Sequence, residues 1–159
     1  MALRVTSAAF REGETLPARY TCDGDGVSPP LAWEGAPEAT ESFVVLCEDP
    51  DAPRGPFIHW VLYNLPANTL ALDESIPPRE HLPEGGLQGV NTAQGIGYTA
   101  PCPPRGRAHR YQFRVFALDQ RLDLPPRATH AQLMRAMHGH VLAEGRLTGL
   151  YARAEERAA

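Results

Sequence analysis

Lysine is absent from this 159-residue chain, and all fifteen basic residues are arginine. The chain therefore has neither a Schiff-base lysine nor the lysine that a P-loop needs. A basic excess is also missing, because the net charge is −4, which argues against nucleic-acid binding. No apolar run approaches the length of a membrane span, and no apolar stretch follows the charge near the start. We predict a cytoplasmic protein without a membrane span or secretory signal.

Cysteine is scarce, with only Cys22, Cys47 and Cys102 and no C-x-x-C spacing. A zinc site built from these residues is therefore not predicted. An odd number of cysteines fits a reducing cytoplasm, where buried thiols act as small apolar groups. The alternative is a bridge between Cys22 and Cys102, which lie in two predicted loops. No cofactor is predicted.

Proline and glycine are plentiful, with sixteen and fourteen copies, and they interrupt the chain at short intervals. This spacing favours short strands joined by turns. The strands predicted from apolar and alternating runs cover residues 5–10, 31–33, 43–47, 58–65, 109–118 and 147–152. Residues 72–107 are predicted to form long loops. We expect one mainly β domain over residues 1–159.

One helix is predicted in the C-terminal half. Thr129 and Gln132 have the spacing of a capping box. Apolar residues then recur at helical intervals, and a glycine provides the end; these residues are Leu133, Met137, Val141 and Gly145.

Polar side chains stand at the ends of three predicted strands. Asp49 and Asp51 follow the apolar strand 43–47, His59 opens the next strand, and His109 and Tyr111 open a later one. Alternation puts His109 and Tyr111 on one face, about 7 Å apart. The same rule puts His59 with Val61 and Tyr63. Each group alone also fits a structural role, as a core-edge histidine, a packed tyrosine or an Asp/Pro turn.

Together these groups indicate a site for a small oxyanion if the three strand ends are neighbours. A protonated imidazole offers two donors and a positive charge, and a phenol offers one donor. Asp49 would repel an anion unless it orients an imidazole and raises its affinity for a proton.

Several ordered motifs resemble the phosphatidylethanolamine-binding protein family, whose bacterial branch is often called Raf-kinase-inhibitor-like. They are the D-P-D-x-P run at 49–53, His59 before an apolar strand, His109-Arg110-Tyr111, and the segments 28–33, 101–104 and 139–143. The similarity covers nearly the whole chain. It implies an antiparallel Greek-key β-sandwich with few helices and a small pocket for phosphate, phosphoryl head groups or similar oxyanions.

The resemblance also implies roles for single residues. Asp49, His59, His109 and Tyr111 would line the pocket, and Asp51 would support it from just outside. Pro103 and the Cys102 backbone would form a rim, and the Ala52–Pro53 peptide would be cis.

The chain departs from the family pattern in two places. Relatives often carry Gly-Gly where this chain has Thr99-Ala100, which could alter how the backbone approaches a ligand. Longer eukaryotic relatives gate the pocket with a C-terminal helix that this chain is expected to lack. Lipid binding and kinase partnership are therefore not assumed.

The predicted function is a non-catalytic binding or regulatory module with a phosphate-like ligand. A metal-dependent enzyme using His59, His109 and Asp49 is one alternative. A metal-free hydrolase using the Cys102 thiol beside a histidine is another. A protease inhibitor would need a reactive loop, and none is identifiable. No partner protein is indicated, and a homodimer is a further expectation, based on the exposed sheet edges and the strand of Trp60 and Tyr63.

Overall fold

The structure is a computed structural model that describes residues 2–154 of the chain. It contains eight strands and one α-helix within those residues. The elements are β1 (Arg4–Thr6), a 3₁₀ turn (Ala18–Tyr20), β2 (Leu31–Glu34), β3 (Ser42–Asp49), β4 (Phe57–Pro66), β5 (Ala71–Leu72), β6 (Leu87–Gln88), β7 (His109–Leu118), α1 (His130–Met137) and β8 (Val141–Tyr151).

The strands form two antiparallel sheets. The smaller sheet has the order β1-β2-β5, and the larger has the order β6-β4-β3-β7-β8. Between them lies a core to which both sheets contribute, including Trp33 from β2 and Phe43 from β3. The predicted mainly β sandwich with a single helix is confirmed.

β3 is the central strand of the larger sheet, and β7 lies beside it. Exposure does not alternate along β3, so this strand is buried on both faces. Its run of apolar, β-branched residues is typical of such a strand. β7 alternates as predicted: Tyr111, Phe113, Val115 and Ala117 face the inter-sheet core. Phe116 and Leu118 belong to a second core on the opposite face.

The second core is covered by α1, whose buried residues are Leu133 and Met137. Thr129 and Gln132 form the predicted capping box, in which each side chain accepts a bond from the other residue's backbone N–H. The prediction that the helix continues to Gly145 is wrong. It ends at Met137, followed by Gly139 at φ 83°, a conformation that glycine adopts without steric cost.

Strand boundaries differ elsewhere too. Val141 is 42% exposed and begins β8, so the last strand is longer than the predicted 147–152. β1 covers Arg4–Thr6 rather than 5–10, because the chain bends after it and Ala9 N–H bonds the Ser7 side chain. The predicted loop region 72–107 contains the end of β5 and all of β6. The region where a gating helix was expected to be absent extends into residues 155–159, which lie outside the described residues.

No helix in the described part of the chain is long and apolar enough to cross a membrane.

Candidate functional site

The polar residues predicted to meet do so at one edge of the larger sheet. β4, β3 and β7 are antiparallel neighbours, so the end of β3 lies beside the beginnings of the other two strands. Asp49 is the last residue of β3, His59 is near the start of β4, and His109 is the first residue of β7. The three side chains line one cavity.

A buried pair of Asp49 and His109 forms one wall of the cavity. The His109 ring Nδ1 lies 2.7 Å from Asp49 Oδ2, and the residues are 7% and 3% exposed. A carboxylate accepts hydrogen bonds, so Nδ1 carries the proton. Asp49 Oδ1 accepts a second bond from the Asp51 N–H. Both carboxylate oxygens of Asp49 are thus engaged by protein donors.

A β-bulge turns His59 into the same cavity. Cys47 pairs with Trp60 and Glu48 pairs with Ile58, so His59 is one extra residue in β4. Trp60 and Leu62 belong to the inter-sheet core, whereas Ile58, Val61 and Tyr63 belong to the core under α1. The His59 ring packs against Tyr111, on the inter-sheet side. Strict alternation had put His59 with Val61 and Tyr63, and the bulge makes that prediction wrong.

The Thr99 carbonyl determines the tautomer of His59. It lies 2.7 Å from His59 Nδ1, and because a carbonyl accepts, Nδ1 is the protonated nitrogen. Burial lowers the pKa of His59, while the Thr99 hydrogen bond and the charge of Asp49 offset part of that effect. The neutral form of His59 therefore predominates at pH 7. Its Nε2 then carries a lone pair.

Neither Nε2 has a partner within the described residues, whereas both Nδ1 atoms do. Both imidazoles are thus fixed through Nδ1, and their second nitrogens have no protein partner in residues 2–154.

Tyr111 provides the hydroxyl of the cavity. The residue is 1% exposed, and its ring meets the His59 ring edge-on with centroids 5.4 Å apart. Burial, followed by the negative charge of Asp49, raises the pKa of Tyr111 well above its usual value. The phenol is therefore protonated and can donate a hydrogen bond.

Asp51 lies just outside the cavity. Its carboxylate accepts bonds from the Arg110 backbone N–H at 2.9 Å and from the Arg110 guanidinium at 2.8 and 2.9 Å. These bonds lower the pKa of Asp51 to about 2. The pair ties the loop after β3 to the start of β7.

The cavity has a volume of about 160 Å³. Predicted residues on its wall are Asp49, Pro53, His59, Cys102, Pro103, His109 and Tyr111. Four further residues line it that were not predicted as wall residues: Ala52, Phe57, Ala100 and Pro104. Phe57 could have been found from its spacing, since it stands two residues before His59, and its ring lies 4.5 Å from the imidazole. The Thr99 carbonyl left no signal in the sequence.

The structure corrects one expectation about the rim and answers one open question. No peptide bond in residues 2–154 is cis, so the expected cis Ala52–Pro53 peptide is trans. Cys22 and Cys102 form the disulfide that was the alternative to free thiols, with Cα atoms 5.3 Å apart. Cys102 therefore has no thiol that could act as a nucleophile. Only Cys47 is a free cysteine, and it is buried as predicted.

The described residues contain no group of three histidine, cysteine, aspartate or glutamate side chains placed to hold one metal ion. The geometry gives the reason: Asp49 bonds His109 directly instead of standing beside it as a second ligand.

Comparison with known proteins gives a consistent picture. The family model described as "Phosphatidylethanolamine-binding protein" matches residues 6–152. The chain is 46% identical to a UPF0098 protein of Methanothermobacter thermautotrophicus, over 95% of this chain and 99% of that one. It is 40% identical to the UPF0098 protein YbhB of Escherichia coli, over 94% and 99% of the two chains.

A similar solved structure is that of a putative phosphatidylethanolamine-binding protein homolog, CT736 of Chlamydia trachomatis. It has a TM-score of 0.86 and 40% identity, and the match covers 98% of this chain and 99% of that one. Escherichia coli YbcL, described as a member of the mammalian family, has a TM-score of 0.88 and 33% identity, with 96% and 99% covered. The motifs, the two antiparallel sheets and these matches together show that the chain belongs to the phosphatidylethanolamine-binding protein family.

Proposed function

We propose that this chain is a non-catalytic binding or regulatory module whose cavity takes a phosphate-like anion or a phosphoryl head group. The observation that carries the proposal is the pair of fixed imidazoles. His59 and His109 are each anchored through Nδ1, and each leaves an unbonded Nε2 at the same small cavity.

The protonation state of the empty site selects the form of the ligand. A neutral His59 presents a lone pair at Nε2, so it accepts a hydrogen bond and does not donate one. Tyr111, in contrast, donates. A phosphate oxyanion that still carries one P–OH group satisfies both, because its hydroxyl donates to His59 while another oxygen accepts from Tyr111. Binding should therefore bring a proton into the site, on the ligand or on an imidazole.

The size of the cavity favours a small ligand. Its volume of about 160 Å³ is below the roughly 300–1,000 Å³ of sites for drug-sized molecules. A larger cavity, of about 260 Å³, lies beside β5, but it contains neither histidine nor tyrosine. Of these two cavities, the smaller one contains the histidine and tyrosine side chains.

The side chains around the cavity argue against covalent hydrolysis. Cys102 is in a disulfide, and the raised pKa of Tyr111 keeps its oxygen protonated. Ser28 and Ser42 are buried and bonded to backbone groups elsewhere, and no serine lines the cavity. A metal-dependent reaction would need the Asp49 carboxylate, whose two oxygens already accept bonds from His109 and Asp51.

The proposal is tested by calorimetric titration of inorganic phosphate into the protein and into His109→Ala. We expect the variant to lose about 1.5–3 kcal/mol of binding free energy, roughly 10- to 150-fold in dissociation constant, because a hydrogen bond to a charged ligand is removed. The matched control is His140→Ala, since His140 bonds an aspartate in the same way, 2.9 Å from Asp119, but away from the cavity. Equal affinity in the two variants would remove His109 from the binding site.

The pH dependence gives a second test of the same site. Because the pKa of His59 is lowered, any gain from its protonation should begin below pH 6.5. Phosphate affinity, corrected for the ionisation of phosphate itself, should rise as the pH falls from 6.5 to 5. Constant corrected affinity over that interval would contradict a gain from imidazole protonation and would leave donation from a P–OH group to neutral His59 as the mode of binding.

We also propose that the protein is cytoplasmic and forms a homodimer. Cell fractionation and sedimentation of the purified protein measure them directly.

A further inference from the structure

The Cys22–Cys102 disulfide lies on the surface at the rim of the proposed anion cavity. Both cysteines are exposed to solvent, and Cys102 also lines the cavity. An exposed disulfide can be reached by an attacking thiolate, whereas a buried one is shielded. Cys47 gives the contrast within the same chain: it is 0% exposed, and burial raises the pKa of its thiol well above the usual value.

The part of the rim around Cys102 has few backbone hydrogen bonds to the fold. Pro101, Pro103 and Pro104 have no N–H and cannot donate hydrogen bonds. Thr99 N–H bonds the His59 carbonyl on one side, and Arg105 pairs with Arg153 and bonds the Ala154 carbonyl on the other. Between them, the Pro101 carbonyl accepts a bond from Cys22 N–H. The disulfide and this bond therefore hold the rim at the same point.

The other half of the bridge is anchored independently. The Thr21 hydroxyl donates to the Ala18 carbonyl and accepts from the Asp23 N–H. Gly24 packs so closely on the 3₁₀ turn that a Cβ there would lie 2.3 Å from Ala18 O. The Tyr151 hydroxyl donates to Asp23. Opening the bridge should therefore release the rim and leave the Cys22 loop in place.

A released rim affects the cavity because the rim holds one of its histidines. The Thr99 carbonyl that fixes His59 Nδ1 is three residues before Cys102, and Pro103 forms part of the cavity wall. We propose that Cys22–Cys102 is a thiol–disulfide exchange site, through which a dithiol reductant switches the cavity from a clamped form to a loosened form of lower anion affinity. The affinity change rests on the function proposed above; the exchange itself does not.

The exchange needs no reactant other than the dithiol and the bridge. One thiolate of the dithiol attacks an exposed sulfur of the bridge, forms a mixed disulfide and displaces the other cysteine as a thiolate. The second thiolate of the dithiol then attacks the mixed disulfide and releases the first cysteine. Two electrons and two protons pass to Cys22 and Cys102, and the reductant leaves as a disulfide.

The experiment uses the whole protein in oxidised form and after treatment with dithiothreitol, which is then removed without air. Inorganic phosphate is titrated at pH 7, and amide exchange is followed for Cys22 and Leu16. Leu16 is the reference, since its N–H bonds the Leu150 carbonyl away from the rim. After reduction we expect the phosphate dissociation constant to rise roughly three- to tenfold, as a smaller fraction of molecules has the clamped rim. We also expect exchange at Cys22 to accelerate at least tenfold more than exchange at Leu16, whose rate reports any change in global stability.

The control is the double variant Cys22→Ala, Cys102→Ala, which should behave like the reduced protein and not respond to dithiothreitol. A bridge that survives millimolar dithiothreitol, or reduction that unfolds the whole chain, would overturn the exchange site. Equal phosphate affinity before and after reduction would overturn the switch and leave the anion site standing. If the oxidised protein bound no phosphate, the proposed function would fail, and the affinity switch would fail with it.

Discussion

The buried pair of Asp49 and His109 leads to a prediction for Asp49→Asn. An asparagine has one acceptor oxygen, whereas Asp49 accepts from two donors, the Asp51 N–H and His109 Nδ1–H. The backbone donor cannot change, but the imidazole can. The asparagine oxygen should therefore stay on Asp51 N–H, and its NH₂ group should donate to His109 Nδ1. A His109 ring that carries a single proton would then hold it on Nε2.

The cost in stability follows from the contacts that change. A hydrogen bond to a charged group contributes about 1.5–3 kcal/mol and one between neutral groups about 0.5–1.5 kcal/mol. We expect Asp49→Asn to lower the free energy of unfolding at pH 7 by about 1–2 kcal/mol, measured by urea denaturation. Asp119→Asn is the matched control. Its bond to His140 has nearly the same length, but the side chains are 42% and 34% exposed, so the loss should stay below about 0.5 kcal/mol.

The same variant changes what the cavity offers to a ligand. An Nε2–H on the His109 ring is a donor, and the negative charge of Asp49 is gone. At pH 8 we therefore expect Asp49→Asn to bind phosphate about two- to tenfold more tightly than the unaltered protein, the effect of one added neutral hydrogen bond. The ¹⁵N signals of the His109 ring report the tautomer. A ring that keeps its proton on Nδ1, or equal stability losses in the Asp49 and Asp119 variants, would refute the reasoning.

Three further predictions concern stability. Reduction of the Cys22–Cys102 bridge, which joins positions 80 residues apart, should lower the free energy of unfolding by about 2–4 kcal/mol, measured in urea. The double alanine variant has no bridge, so the reductant should not change its free energy of unfolding. His59 has a lowered pKa in the fold, so the unfolded chain binds its proton first; stability should fall as the pH drops below about 6.5, and a His59→Asn variant should show a smaller slope. The pKa of Asp51 is about 2 in the fold, and its ion pair contributes about 1 kcal/mol to the free energy of unfolding after allowance for solvent screening. This contribution should be present above pH 4 and lost as the pH falls towards 2. Glu34→Gln removes an exposed and long ion pair and should leave acid stability unchanged.

The parts of the fold that local patterns determine could be predicted from the sequence. β3 and β7 were recognised because apolar runs and strict alternation reflect burial directly. The capping box was recognised because both partners lie within one turn. The helix end was missed, since Val141 continues the apolar spacing of α1 although the chain has already turned at Gly139.

The cavity shows the same division. His109 and Tyr111 share a regular strand, so their common face followed from alternation. His59 is on a bulge, which depends on how β4 pairs with β3 and therefore cannot be found from β4 alone. The Cys22–Cys102 bridge and the Thr99–His59 bond join residues 80 and 40 positions apart, and no local pattern determines such contacts.

The extra residue in β4 also determines which face of the sheet the side chains at the start of this strand occupy. Deleting Ile58 would bring His59 opposite Glu48, restore regular pairing with β3 at this point, leave the pairing from Trp60 onward in place and turn the imidazole toward the layer under α1. A shortened protein of this kind would keep its interior and its sheets but would hold one histidine, not two, at the cavity. A one-residue deletion in β4 can thus remove ligand recognition without unfolding the protein. An unchanged circular dichroism spectrum would therefore not show that the cavity still binds its ligand.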